Sequence, residues 1–139
     1  MDAETRCSIE SLIVEYAWLL DHGEAMHLAD LFAEDAILEL PKGQYAGREA
    51  IAAFGRERAK LARITRHVCS NIRLRPLGPD KVEGTVVFTS YRHDGEGLVE
   101  PQAQAVGDWH DVYVREADGR WRFSERRVVL VFESEAHRQ

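Results

Sequence analysis

Two residues, Asp21 and His67, have the types and the settings that proton transfer needs. Asp21 lies in the last turn of a helical pattern, just before Gly23. The helix macrodipole disfavours a carboxylate there by a few tenths to about 1 kcal/mol, so Asp21 is expected to have a partner. His67 lies in a strand pattern whose alternation puts several polar side chains on one face. These are Thr65, His67, Cys69, Asn71 and Arg73.

A carboxylate that bonds one imidazole nitrogen fixes the tautomer and leaves the other nitrogen as a general base. We therefore take Asp21 and His67 as the candidate catalytic pair. The residues alone leave a second interpretation open. In it, Asp21 is a solvated acid at a helix end and His67 is a structural histidine of a half-buried strand.

Three residues are candidates for substrate binding. Tyr16 belongs to the apolar stripe of the first helix, where its hydroxyl could donate a proton into a pocket. Asn71 shares the predicted face of His67, and Trp109 is either a core residue or part of the pocket wall. For Tyr16 as well, a place in the core remains open.

No metal site and no cofactor are predicted. His22 and His27 are five residues apart across a helix break, whereas a zinc-binding helix places two histidines at i and i+4. The glycines around Glu96 match no phosphate-binding fingerprint. Four arginines near the C-terminus are expected to form a solvated strand face. They are Arg120, Arg122, Arg126 and Arg127.

The elements that position these residues follow from hydrophobic periodicity. Apolar residues at helical spacing predict three helices, and alternation predicts one short strand and then four longer ones. The helices are Ser8–His22, Glu24–Glu34 and Arg48–Ala62; the strands are Ala36–Leu40, Ile64–Leu74, Lys81–Arg92, Ala103–Arg115 and Arg120–Phe132. Turn signals between the last four indicate an antiparallel meander. We predict an α+β domain with the helices on the concave side of a curved sheet.

Length and charge narrow the function classes. The 139 residues predict one domain, residues 1–139. The net charge of −6 argues against binding to nucleic acid or to an anionic membrane. The acidic N-terminus lacks the pattern of a secretory signal, so a cytoplasmic protein is expected. Cys7 and Cys69 are far apart and predict no disulfide framework.

Self-association is also predicted. If His67 faces a cavity, alternation turns Ile64, Val68 and Ile72 outward. We expect Val82, Val86 and Phe88 to join them on the convex side of the sheet. An exposed apolar face of that extent marks an interface.

Six segments, in this order and spacing, carry a resemblance to a known family. They are Tyr16–Glu24, Leu31–Ala36, Gly47–Ile51, Thr65–Ile72, Asp80–Gly84 and Asp118–Phe123. Nearly the whole chain resembles the SnoaL-like group of the nuclear transport factor two-like superfamily. This resemblance implies a cone-shaped barrel of a strongly curved mixed sheet, with three N-terminal helices enclosing a cavity. It also implies a homodimer or homotrimer.

Within that superfamily the motifs are closest to scytalone dehydratase and hexachlorocyclohexane dehydrochlorinase. Those enzymes use a histidine base oriented by an aspartate, and the matching positions here are His67 and Asp21. The chain departs from ketosteroid isomerases, which place an aspartate before the proline where this chain has Leu40. It also lacks the tyrosine that scytalone dehydratase has near that position, so the substrate does not carry over.

The resemblance implies a cofactor-independent lyase, a dehydratase or related elimination enzyme, acting on a cyclic or aromatic small molecule. The expected partner is accordingly a small apolar or aromatic ligand. The alternative is a non-catalytic subunit with the same cone fold, which binds a ligand or belongs to a larger assembly. The small subunits of ring-hydroxylating dioxygenases are examples of that second kind.

Overall fold

The computed structural model describes residues 1–137. The helices that cover the sheet and two short strands come from the first half of the chain, and the four long strands of the mixed sheet come from the second half. The helices are α1 (Ala3–Asp21), a 3-10 helix (Ala25–Leu31), α2 (Arg48–Ala59) and a short 3-10 helix (Glu135–His137). The strands are β1 (Phe32–Leu40), β2 (Gly43–Ala46), β3 (Ile64–Gly78), β4 (Lys81–His93), β5 (Ala103–Arg115) and β6 (Trp121–Glu133). Within residues 1–137, no helix is long and apolar enough to cross a membrane.

Helix α1 is positioned by a capping bond at its start and by one buried face. The Asp2 side chain accepts a hydrogen bond from the Thr5 N–H at 2.8 Å, which satisfies one of the free donors of the first turn. The apolar residues at helical spacing, among them Ile9, Ile13 and Tyr16, are buried. The helix ends at Asp21, and Gly23 follows with a φ of 75°, a conformation that favours glycine.

The sheet is mixed because its last strand, β6, lies beside its first strand, β1, and runs parallel to it. The strand order is β2-β1-β6-β5-β4-β3. All neighbours are antiparallel except β1 and β6, which run parallel. The predicted α+β cone with three N-terminal helices is confirmed, and so is the antiparallel meander of the second half. The sheet is curved but not closed, since β2 and β3 form its two edges.

Two predictions about the first half need correction. The second helix is a 3-10 helix that ends at Leu31, so β1 begins at Phe32 rather than Ala36. Burial decides this boundary, because Phe32 and Ala33 are both buried in the core. The sequence predicts one short strand before the last of the three helices, but residues 43–46 form a second one, β2, which pairs with β1.

The core lies between the helices and the concave side of the sheet. Val82, Val86 and Phe88, expected on the convex side, are buried there with exposed fractions of 2%, 0% and 4%. That prediction was wrong because these residues share the inward face of the sheet with Trp109, the cross-strand partner of Val86. Val68 does point away from the core and is exposed.

The sequence predicts that Asn71 shares the face of His67, but in the structure it does not. It has a φ of 51°, and the pairing of β3 with β4 shifts between Ser70 and Arg73. This β-bulge inserts one residue and interrupts the alternation. As a result Ile72 packs against the core while Asn71 is exposed. The structure therefore gives no support to a place for Asn71 in the pocket.

Candidate active site

Asp21 and His67 are in direct contact, as the sequence predicts. The Nδ1 atom of His67 lies 2.6 Å from Oδ1 of Asp21. The contact joins the end of α1 to the start of β3, and it is shielded, with side-chain exposures of 16% for His67 and 6% for Asp21. Because an ionised carboxylate only accepts hydrogen bonds, Nδ1 carries the proton of the neutral ring and Nε2 keeps a free lone pair.

Two further donors hold the Asp21 carboxylate. The backbone N–H of His67 donates to Oδ2 at 2.8 Å, and the Thr65 hydroxyl donates to Oδ1 at 2.9 Å. Burial acts to raise the pKa of Asp21, but the hydrogen bonds from His67 and Thr65 outweigh it and hold that pKa below its ordinary value. The carboxylate is therefore ionised at neutral pH and can orient the imidazole.

Tyr16 and Trp109 lie together beneath this pair. Their rings meet edge to face with centroids 5.3 Å apart, and both side chains are buried. The Trp109 ring is 6.1 Å from the ring of His67. Burial raises the pKa of Tyr16 to about 12, so its hydroxyl keeps its proton at neutral pH. The structure thus brings four of the five predicted residues together: Tyr16, Asp21, His67 and Trp109.

A buried arginine that the sequence analysis assigned to a solvated face completes this cluster. Arg126 is fully buried, and its guanidinium carbon lies 4.3 Å from the ring centroid of Tyr16 and 4.0 Å from that of Trp109. A third ring, that of Phe123, is 4.2 Å away. The expectation of a solvated Arg126 was wrong because the β5 and β6 register places it opposite Asp111 on the inward face.

The positive charge of Arg126 is balanced by the Asp111 carboxylate. The Nε and Nη2 atoms of Arg126 donate to the two carboxylate oxygens at 2.8 and 2.7 Å, and the Tyr113 hydroxyl donates to the same carboxylate at 2.5 Å. Burial alone would lower the pKa of Arg126, but the ion pair outweighs it and raises that pKa. The guanidinium is therefore permanently charged.

One polar atom of this cluster remains unused. Within residues 1–137, Nη1 of Arg126 is the buried side-chain polar atom that lacks a hydrogen-bond partner. Buried donors are nearly always paired, and exceptions often have a functional reason. Nη1 is thus a free donor next to the Tyr16 and Trp109 rings.

The signal that could have revealed Arg126 lies in β5. Trp109, Asp111 and Tyr113 are two residues apart and therefore share one face of the strand, so a carboxylate lies between two aromatic side chains on that face. A buried carboxylate needs a cationic partner, and an arginine on the neighbouring strand is the natural choice. Sequence alternation gives the face but not the register that selects Arg126.

Two recesses of the structure lie beside the pair rather than around it. One, of 440 Å³, is lined by residues such as Arg75, His110 and Arg127. The other, of 360 Å³, lies at the ends of β3 and β4, where Thr65 contributes to its wall. Neither is lined by Asp21 or His67. The cavity that the resemblance implies, enclosed by the three helices next to His67, does not coincide with either recess.

Cys69 is next to His67 on the inward face of β3, but its environment does not activate it. Burial raises the pKa of the Cys69 thiol to about 11, and only the thiolate is a strong nucleophile. Across residues 1–137, no cluster of three or more His, Cys, Asp or Glu side chains could hold a metal ion.

Comparison with known proteins identifies the family. Residues 1–127 match the family described as SnoaL-like domain. The chain belongs to the SnoaL-like family. Its fold and its structural relatives fit the nuclear transport factor two-like superfamily. No curated protein sequence matches the chain significantly.

Solved structures share this SnoaL-like fold. A putative scytalone dehydratase from Novosphingobium aromaticivorans is 24% identical, with a TM-score of 0.82 over 98% of this chain and 89% of the other. A type 2 hexachlorocyclohexane dehydrochlorinase is 23% identical, with a TM-score of 0.80 over 94% of this chain and 88% of the other. The β subunit of a putative aromatic-ring-hydroxylating dioxygenase from N. aromaticivorans is 14% identical, with a TM-score of 0.81 over 94% and 91%. At these identities the likeness shows a common fold.

Proposed function

We propose that the protein is a cofactor-independent lyase that eliminates water or a related leaving group from a cyclic or aromatic small molecule. One observation carries this proposal: the 2.6 Å contact between the shielded side chains of Asp21 and His67. Such a pair supplies a general base with a fixed tautomer. The dehydratase and dehydrochlorinase relatives lend support, since both are named for elimination reactions.

In this proposal His67 removes the proton next to the leaving group. Nε2 takes the proton, the electrons of the broken C–H bond form the new double bond, and the leaving group departs with its own bonding pair. Asp21 stabilises the imidazolium as charge develops on it, the orienting role that a carboxylate has in a catalytic triad. The proton then returns to solvent, or to a hydroxide leaving group as water.

In this proposal Arg126 and Tyr16 provide hydrogen-bond donors near His67. The free Nη1 donor of Arg126 and the protonated hydroxyl of Tyr16 can stabilise negative charge that develops on a substrate oxygen or on the leaving group. Trp109 lies between these groups and His67, with ring distances of 4.0 Å to the guanidinium carbon and 6.1 Å to the imidazole. A flat apolar substrate would suit these rings, but it must displace side chains to reach them, because Tyr16, Trp109 and Arg126 are buried and line neither recess.

The experiment is a screen of hydroxylated and halogenated cyclic compounds for elimination, with His67→Ala and a matched His27→Ala control. His27 is exposed, so its replacement should leave turnover unchanged. Replacement of His67 should lower turnover by about 10²–10⁴-fold while ligand affinity and fold persist. Near-full turnover in His67→Ala would overturn the mechanism.

A second candidate is a non-catalytic subunit that binds a small ligand or belongs to a larger assembly. The two recesses described above are not lined by Asp21 or His67, which favours this alternative. The dioxygenase β subunit shows that the fold also occurs in a subunit of an assembly. In this case the same substitutions change only affinity, and the screen finds no elimination.

A further inference from the structure

The Thr65 hydroxyl links the candidate catalytic carboxylate to a charged residue on another helix. Thr65 is 6% exposed and donates to Oδ1 of Asp21 at 2.9 Å. The Nη2 atom of Arg58, on α2, donates to the same hydroxyl oxygen at 3.2 Å and lies 3.4 Å from the carbonyl oxygen of Leu20. One hydroxyl thus connects α2, β3 and the end of α1.

The direction of these bonds follows from the chemistry of the groups. A guanidinium can only donate, so the Thr65 oxygen is the acceptor in its bond with Arg58. A hydroxyl has a single proton, and Asp21 is the acceptor that remains for it. Arg58 therefore directs the Thr65 proton towards Asp21, in a chain that runs from Arg58 through Thr65 to the carboxylate beside His67.

We propose that Thr65, oriented by Arg58, is a positioning residue that fixes the Asp21 carboxylate and through it the tautomer of His67. With the Thr65 donor on Oδ1 and the His67 backbone N–H on Oδ2, the carboxylate cannot rotate without breaking a bond. Its Oδ1 atom stays directed at Nδ1 of His67. The catalytic consequence rests on the proposed function, whereas the tautomer consequence does not.

The surroundings of Arg58 support a role beyond surface solvation. Burial and the nearby Arg63 and Arg92 lower the pKa of Arg58, while Asp21 and Asp94 act in the opposite direction. Asp94 is held by both of those arginines, at 3.0 Å from Nε of Arg63 and 2.6 Å from Nη2 of Arg92. Asp94 thus pairs with Arg63 and Arg92, and the hydrogen bonds of Arg58 go to Thr65 and Leu20 instead.

The test uses Thr65→Val, which removes the hydroxyl but keeps the branched shape, and Thr65→Ser, which keeps the hydroxyl. The ring ¹⁵N shifts of neutral His67 report its tautomer without any substrate. We expect the Nδ1–H form in the wild type and in Thr65→Ser, and a mixture of both tautomers in Thr65→Val. Thr85→Val, on the outward face of β4 beside the buried Val86, is the matched control and should match the wild type.

Arg58→Met tests the same chain from its other end and is also informative if Thr65→Val does not fold. It frees the Thr65 proton, so a partial mixture of tautomers is expected. A single Nδ1–H tautomer in both Thr65→Val and Arg58→Met would overturn the proposal.

Kinetics separate this proposal from the proposed function. With a substrate in hand, kcat of Thr65→Val should fall by about tenfold, the value of one hydrogen bond to a charged group, while KM stays the same. Thr65→Ser should restore kcat. A shifted tautomer in a protein that shows no elimination would support the positioning role and contradict the lyase. An unchanged tautomer in an active enzyme would do the reverse.

Discussion

Asp21 holds His67 at two points, because one carboxylate oxygen meets the ring Nδ1 at 2.6 Å and the other accepts the backbone N–H at 2.8 Å. The ring and the backbone of His67 are thereby fixed to the end of α1 together. The Asp21 carboxylate thus links the end of α1 to the start of β3 through both the side chain and the main chain of His67.

If Asp21 and His67 act as one unit, their substitutions should not be additive. Asp21→Asn and His67→Ala are each expected to lower kcat strongly, and the double variant should be little worse than the more affected single variant. The measurement is steady-state kinetics on any substrate found. Asp35→Asn, at an exposed position, is the control for loss of an acid. Multiplicative losses in the double variant would contradict a shared role.

Acid should weaken the fold through Asp21. Because the folded pKa of Asp21 lies below its unfolded value of about 3.9, its ionised form contributes stability above that pH. The contribution is lost as the pH falls through the lower folded pKa. Urea unfolding of wild type and Asp21→Asn should therefore give free energies that differ near pH 6, and this difference should shrink as the pH falls below the unfolded pKa of about 3.9. A difference that is independent of pH would refute this.

Loss of one partner of the buried ion pair should strongly lower the free energy of unfolding. Asp111→Asn leaves the charge of Arg126 buried without its partner, so unfolding free energy should fall by about 3–5 kcal/mol. Asp111→Leu combined with Arg126→Met removes both charges, and this pair should cost less than Asp111→Asn alone. Chemical denaturation measures both. Equal losses in the two variants would show that the charge imbalance is not the cause.

Tyr16→Phe should separate catalysis from packing. The ring keeps its contacts with Trp109 and Phe123, so the melting temperature should change little. Loss of the hydroxyl should lower kcat by about 10²–10³-fold if it stabilises developing charge. Unchanged kcat in a stable Tyr16→Phe protein would remove Tyr16 from the mechanism.

Self-association should occur through the outward side of the sheet. Val68, Thr89, Val106 and Phe132 form one row across four strands, since each pairs with the next. The two ends of the row, Val68 and Phe132, are 53% and 68% exposed. We expect a dimer or trimer by light scattering at micromolar concentration, and a monomer for Phe132→Asp. A wild-type monomer would contradict this expectation.

Local patterns were sufficient to predict most of the fold. Helical spacing in α1 and alternation in β4, β5 and β6 predict those elements within a few residues, because each has one face that must be buried. The residues alone leave the contact between Asp21 and His67 as one of two interpretations, and the family resemblance favours it by matching both positions to a catalytic aspartate and histidine. Strand β2 was not predictable, since four residues around Gln44 carry no alternation strong enough to distinguish a strand from a turn.

Features that depend on register were out of reach. A single inserted residue at Asn71 exchanges the faces of β3. Asparagine adopts a positive φ more readily than most residues, but one asparagine in a strand pattern does not by itself distinguish a bulge from regular alternation. Likewise, Arg126 and Arg127 are neighbours of one type, yet one is fully buried and the other exposed. Only the pairing of β5 with β6, which places Arg126 opposite Asp111, distinguishes them.

The parallel pairing of β1 with β6 also governs how this protein folds. Leu38 in β1 pairs with Arg126 in β6. The sheet is therefore complete only when two segments that are far apart in the chain have come together. Contacts between such distant segments carry a large loop-closure cost and slow the search for the native state. During synthesis, therefore, the hairpin of β1 and β2 leaves the ribosome long before its partner. The antiparallel hairpins can form first, and docking of β1 onto β6 is the step that completes the domain.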